Sequence, residues 1–254
     1  MRHQRKVCAG LGLLALCLSV VPASMAMAQT ESTPVRPWQF AVTPFLWGSG
    51  FDGTVGIAGR QQEVEASVQQ LLKSLDFGVM FNIEARNDRW VFAFDFDYTD
   101  LSKDATLGAG IGASVPAKLD LGMTIVEGDF GYRINEYLDV LGGVRGFHAP
   151  VTLTLQAGPV REASGGFVDP IVGARFRRDL SERIWVNLRG DIGGFGVGSD
   201  FSWYAGAVFG IRVSRMISID VGYRAWSFDY ESDGDLRKLD ATLAGFAFGA
   251  TFEF

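Results

Sequence analysis

The chain predicts an all-β fold, a transmembrane antiparallel up-and-down β-barrel of about ten strands, with eight or twelve as alternatives. Three observations predict it. Apolar side chains recur at every second position over long stretches, a period that strands use and helices do not. Tight polar breaks interrupt those stretches at regular spacing. After the first 28 residues no run approaches the ~20 apolar residues of a membrane helix, so any crossing must be made by strands.

At the amino end, Arg2, Arg5 and Lys6 precede an apolar run from Val7 to Val21 and an A-x-A site at Ala26-Met27-Ala28. This predicts a signal peptide over 1–28, a short lead over 29–36 and a barrel over 37–254. Cys8 and Cys17 both lie in the signal segment, so the mature chain is expected to lack thiol chemistry. Leu16, where a lipoprotein signal wants a small residue, argues against a lipid anchor on Cys17. Taking three basic residues from the 23 leaves 20 against 29 acidic ones, a formal charge of −9. Nucleic acid is excluded as a natural partner by that sign. Only Lys73, Lys103, Lys118 and Lys238 remain as lysines, so nearly all cations are arginines, the residue of fixed carboxylate pairing.

Between Trp38 and Phe77, Val64 to Leu75 carries Val64, Val68, Leu71, Leu72 and Leu75 at helical spacing and predicts the one helix, in the first outer loop. It could cap the mouth, enter the lumen, lie on the outer leaflet or pack on the rim. Gly48 to Gly59 could hold an extra short hairpin. The next strands set Phe77, Val79, Phe81 and Ile83 on one face, then Trp90, Phe92, Phe94, Phe96 and Tyr98. Later sets are Ile184, Val186, Leu188 and Ile192; Trp203, Phe209, Ile211 and Val213; and Ile217, Ile219, Val221 and Tyr223. Breaks at Asn87-Asp88-Arg89, Asn135-Glu136, Asp179 to Glu182 and Ser214-Arg215-Met216 divide the chain into units of about 50, 47, 46, 34 and 39 residues, each enough for a hairpin. Five hairpins give ten strands, with short turns and both termini on one side.

Opposite the apolar faces stand Glu84, Arg86, Asp95, Asp97, Glu127, Asp129, Arg133, Asp139, Arg145, Asp169, Arg175, Arg177, Arg189, Asp191, Arg212, Asp220, Arg224 and Glu253. Ten acids and eight arginines there predict either a charged pore for small polar solutes or a salt-bridged filling of a narrow barrel. Asp229, Glu231, Asp233, Gly234, Asp235 and Asp240 make an acidic outer loop with only a weak likeness to a calcium loop, since Glu231 and Asp240 depart from the pattern. No metal or cofactor site is expected. The single histidine of the mature chain is His148, which an enzyme acting on lipid or peptide would have to use as its base. No G-x-S-x-G accompanies it, so a non-catalytic barrel is expected, with that enzyme and a soluble secreted β-sandwich as the alternatives.

The last strand places Thr242, Ala244, Phe246, Phe248, Ala250, Phe252 and Phe254 on one face. A strand ending in Phe254, with Phe246, Phe248 and Phe252 on the same side, resembles the assembly signal of bacterial outer-membrane barrels. Asp169-Pro170-Ile171-Val172-Gly173-Ala174-Arg175, the stretch from Arg189 to Asp200 with Gly193, Gly194, Gly196 and Gly198, Gly222-Tyr223-Arg224, Thr43-Pro44-Phe45-Leu46-Trp47 and Leu75-Asp76-Phe77-Gly78 together resemble a family of proteobacterial outer-membrane β-barrel proteins, small porin-like or surface barrels. The resemblance spans nearly the whole mature chain. It implies the bacterial outer membrane as location, membrane lipid, lipopolysaccharide and the barrel-assembly machinery as partners, and no particular activity. The glycine cluster suits a bent strand or a close backbone approach.

Overall fold

The computed structural model describes residues 37–57, 60–109, 113–155, 160–231 and 236–254. The expected signal peptide and lead, and the tip of the acidic loop, lie outside the described residues. The elements are β1 (Gln39–Ile57), β2 (Arg60–Ala66), α1 (Val68–Lys73), β3 (Leu75–Arg86), β4 (Trp90–Ala109), β5 (Ala113–Arg133), β6 (Leu138–Leu155), β7 (Arg161–Asp179), β8 (Ile184–Gly193), β9 (Phe201–Arg212), β10 (Ile217–Glu231) and β11 (Leu236–Glu253). From β3 to β11 each strand pairs antiparallel with the next, and β11 returns to pair with β1. The β1–β11 pairing closes the wall on itself, which is what a membrane demands of strands, and β2 alone ends the order, paired on one side with β1.

The circumference is ten strands although eleven segments build it. One edge of β1 runs against β11 from Ala41↔Glu253 to Ile57↔Leu236. Its other edge is shared: Gln39–Pro44 pairs with β3, and Phe51–Ile57 with β2. An extra hairpin is present, but its second arm is Arg60–Ala66, beyond the Gly48 to Gly59 stretch expected to hold it, and it leaves the count at ten. Between the two pairings the Trp47 N–H donates to the Met80 sulfur at 3.2 Å. The helix occupies this interruption, shorter than the sequence implied, because 64–66 belongs to β2. Ser67 starts it: its extended backbone (ψ 156°) ends the strand, its hydroxyl accepts from the Gln70 N–H, and the Gln70 side chain accepts from the Ser67 N–H. Val68 then packs beside Gly48, where an added Cβ would lie 3.2 Å from Val68 Cγ1.

Four short turns and both barrel termini share one end, here the turn end. Side chains cap these turns as the sequence breaks foretold. Asn87 Oδ1 accepts from the N–H groups of Arg89 and Trp90, both at 2.8 Å. Asn135 does the same for Tyr137 and Leu138, and Ser181 for Arg183 and Ile184. At the opposite, loop end the β8–β9 connection is a tight reversal with Gly194 at φ 87° and Gly196 at φ 72°, conformations that suit glycine.

Phe92, Phe94, Phe130, Val140, Val144, Val168, Val172, Phe209, Ile219, Val221, Phe246 and Phe248 all point outward and stay exposed. Near the turn end Trp90 stacks on Phe130 at 4.9 Å and meets Tyr132 edge-on at 5.1 Å, an aromatic band of the kind that lines membrane interfaces. This single closed sheet with an apolar exterior excludes the β-sandwich alternative, which needs two sheets with their apolar faces inward. Phe94→Arg, near the middle of the apolar belt, should cost about 2–4 kcal/mol, read as a lowered urea midpoint for unfolding from lipid vesicles.

Candidate functional site: the lumen

The inward positions divide into two layers. In the turn half they are charged, and in the loop half they are aromatic and aliphatic.

The charged layer is a chain of shared ion pairs. Arg175 of β7 reaches Asp139 of β6 at 2.8 Å and Glu84 of β3 across the lumen. Glu84 also pairs with Arg86 at 3.2 Å, and Arg86 and Arg177 both reach Glu253 of β11, at 2.9 and 3.2 Å. Arg133 adds a contact to Asp139 at 3.2 Å. One layer further in, Arg145 bridges Glu127 and Asp191, while Arg189 bridges Glu127, Asp129 and Asp191 at 2.6–2.8 Å. Arg224 holds Asp95 and Asp97 at 3.3 and 3.4 Å. Apart from Arg133, each of these guanidiniums takes two or more carboxylates, the planar fork acting as a strut between strands. Arg212 pairs with Asp179 at 2.6 Å at the turn-end mouth, where Asp179 is largely exposed.

Among the described residues two of the expected carboxylates form no ion pair. Asp169 is fully buried and accepts from the Ser199 N–H at 2.7 Å, the Ser199 hydroxyl at 2.6 Å and the Ser202 hydroxyl at 2.9 Å. It therefore corrects the charge-ladder reading: this carboxylate fastens the β8–β9 reversal to β7. The glycine cluster serves the same contact, since a Cβ on Gly198 would lie 2.6 Å from Asp169 Oδ1. Asp220 accepts from the Thr251 hydroxyl, its one side-chain partner among the described residues.

Rings that the sequence reading did not single out fill the loop half. Phe147 of β6, Phe167 of β7 and Trp226 and Phe228 of β10 meet across the lumen, with centroids 4.5–6.4 Å apart, and Phe167 stacks on Tyr230 at 5.0 Å. Trp47, Ile125, Leu239 and Leu243 pack into the same cluster. The two layers join through cation–π contacts: Arg145 lies 5.7 Å from the Trp226 ring, and Arg224 lies 4.8 Å from the Trp47 ring. The missed signal was legible as the inward parity of β10, on which Asp220 and Arg224 give way to Trp226 and Phe228.

Below the rings a cavity of about 160 Å³ remains in the charged layer, lined by Asn82, Asp129, Asn187, Tyr204, Asp220 and Arg224 among others. His148 lies elsewhere, exposed on the outward face of the wall, with Gly166 of β7 as its cross-strand neighbour. Beyond the apolar belt at the loop end, the Asp120 carboxyl is held below its usual pKa, first by a hydrogen bond from Ser102 and then by Lys118 at 2.9 Å. Phe246, Phe248 and Phe252 face outward on β11, Phe254 just past its end is exposed as well, and the Phe254 N–H closes the seam by donating to the Phe40 carbonyl at 2.8 Å.

Charges enclosed and oils outward define a transmembrane β-barrel protein. No family model matches the chain, and no curated protein matches it. Among solved structures it is similar to Ail of Yersinia pestis in complex with a heparin analogue (14% identity, 86% of this chain and 100% of that one, TM-score 0.41). It is also similar to the translocator domain of the autotransporter NalP from Neisseria meningitidis (9%, 86% and 89%, TM-score 0.46) and to the outer membrane protease OmpT from Escherichia coli (7%, 88% and 99%, TM-score 0.49). The assignment of class rests on this chain's own faces.

Arg175→Met leaves Glu84 and Asp139 enclosed without their main cation and should destabilise the barrel by about 3–5 kcal/mol in urea unfolding. Arg212→Met, at the wet mouth, should cost under about 1 kcal/mol in the same assay.

Proposed function

We propose that this chain is a non-catalytic barrel of the bacterial outer membrane, structural or surface-facing in role, with a lumen closed to ion flow. The turn end faces the periplasm, and the apolar belt is solvated by membrane lipid and lipopolysaccharide. Phe246, Phe248 and Phe252, outward on the closing strand, and Phe254 just past its end serve as the signal read by the barrel-assembly machinery. The single observation that carries the reading is the ring cluster of Phe147, Phe167, Trp226 and Phe228, which spans the lumen between β6, β7 and β10 above an ion-paired layer. A narrow barrel filled by its own side chains offers no continuous water path. Against catalysis, the one histidine of the mature chain stands outside the wall, on the face opposite the enclosed carboxylates.

Planar-bilayer recording of refolded protein tests this. The expected trace is silent, and the double variant Phe147→Ala, Trp226→Ala should admit unitary currents. Current steps of defined size from the unaltered protein would overturn the closed lumen in favour of a narrow pore for small polar solutes.

A further inference from the structure

Four carboxylates, Glu84, Asp95, Asp129 and Asp220, and four guanidiniums, Arg175, Arg177, Arg189 and Arg224, line the 160 Å³ cavity, but they do not pair off evenly. Asp129 and Asp95, which line it, have guanidiniums at 2.7 and 3.3 Å, and Glu84 has three within 4.0 Å. Asp220 lines the same cavity, is 5% exposed and has no ion pair among the described residues. Its Oδ2 accepts from Thr251 Oγ1, whose oxygen in turn lies 2.8 Å from Thr43 Oγ1. Since the Thr251 proton points to Asp220, the Thr43 proton must point to Thr251. Thr43 thus donates to Thr251 and Thr251 to the carboxylate, a donor chain that ends on the anion. Among the described residues Asp220 Oδ1 has no hydrogen-bond partner, and neither do Asn187 Oδ1, Asp129 Oδ1 and Arg224 Nε, which line the same space. Three orphaned acceptors against one orphaned donor call for a donor-rich guest, and the unpaired Asp220 carboxylate for a positively charged one.

We infer that this cavity is a binding site for a small primary ammonium compound, with the ammonium held by Asp220 and Asn187. Three N–H donors suit the two free oxygens and a lone pair of Thr43, whereas among the described residues no group of three metal-ligating side chains exists to hold a divalent ion. The volume takes a guest of several heavy atoms, since one water needs only about 10–15 Å³ of such space. With the rings closing the loop half, the guest enters at the turn end, past Glu253 and Arg177, whose side chains are 25% and 20% exposed. The site is a blind cup and does not depend on the structural reading proposed above.

Calorimetric titration of the refolded protein in detergent with methylammonium chloride tests it, with tetramethylammonium chloride, which has no N–H donor, as the ionic-strength control. One saturable site for methylammonium and none for tetramethylammonium is expected. Asp220→Asn should weaken binding roughly tenfold or more, the loss of a charged acceptor, and Asn187→Ala severalfold. Both variants are first shown to be folded by their urea midpoints, and Asn187→Ala carries the test if Asp220→Asn does not fold. Absence of saturable heat, unchanged affinity in the folded variants, or equal saturation by potassium would overturn the proposal. A conducting channel that still binds methylammonium would overturn only the closed lumen.

Discussion

Strand alternation has one fixed period, and this molecule runs it through two solvents. Over the belt from Phe92 to Phe246 the outward residue meets hydrocarbon, so the inward one must be the polar partner. Nearer the loop end the outward residues turn polar, as with Ser227 and Asp229 on β10, and the inward ones become Trp226 and Phe228. The same strand is inside-out below and of soluble type above, without a change of register. The charged layer and the ring cluster are both consequences of that switch.

Enclosing so many charges is costly, because desolvation of a single ion in a protein interior amounts to several kcal/mol. The arrangement offsets this by sharing. Glu127 takes two guanidiniums, Asp191 takes two, and Arg189 spans three carboxylates. Such a network fixes which strand may stand opposite which, since a slip by one residue would send every one of these groups into lipid. Asp169 shows the neutral solution to the same problem, with two hydroxyls and a backbone N–H in place of a cation.

The wall was legible in the sequence and the filling only partly so. Outward sets such as Phe77 to Ile83 and Trp90 to Tyr98 read directly as strands, and the Asn87, Asn135 and Ser181 breaks read as turns, because both signals are local. Ion-pair partners were not legible: that Arg175 of β7 meets Glu84 of β3 depends on barrel size and shear. The rings of Phe147 and Phe167 were hidden because polar side chains were expected at the lumen positions along the whole strand. For the helix, apolar spacing from Val64 suggested a start three residues before the Ser67 cap, while pairing of 64–66 with β1 overrode it.

Thr43 and Thr251 touch across 208 intervening steps of sequence, and Phe40 and Phe254 complete the seam beside them. Neither the first strand nor the last can satisfy its backbone until the other arrives. Every state before that is an open ribbon with two sticky margins, poorly tolerated in lipid and prone to pair with other chains in water. Closure of the barrel is thereby tied to the arrival of β11, giving a late, non-local and correspondingly slow final step.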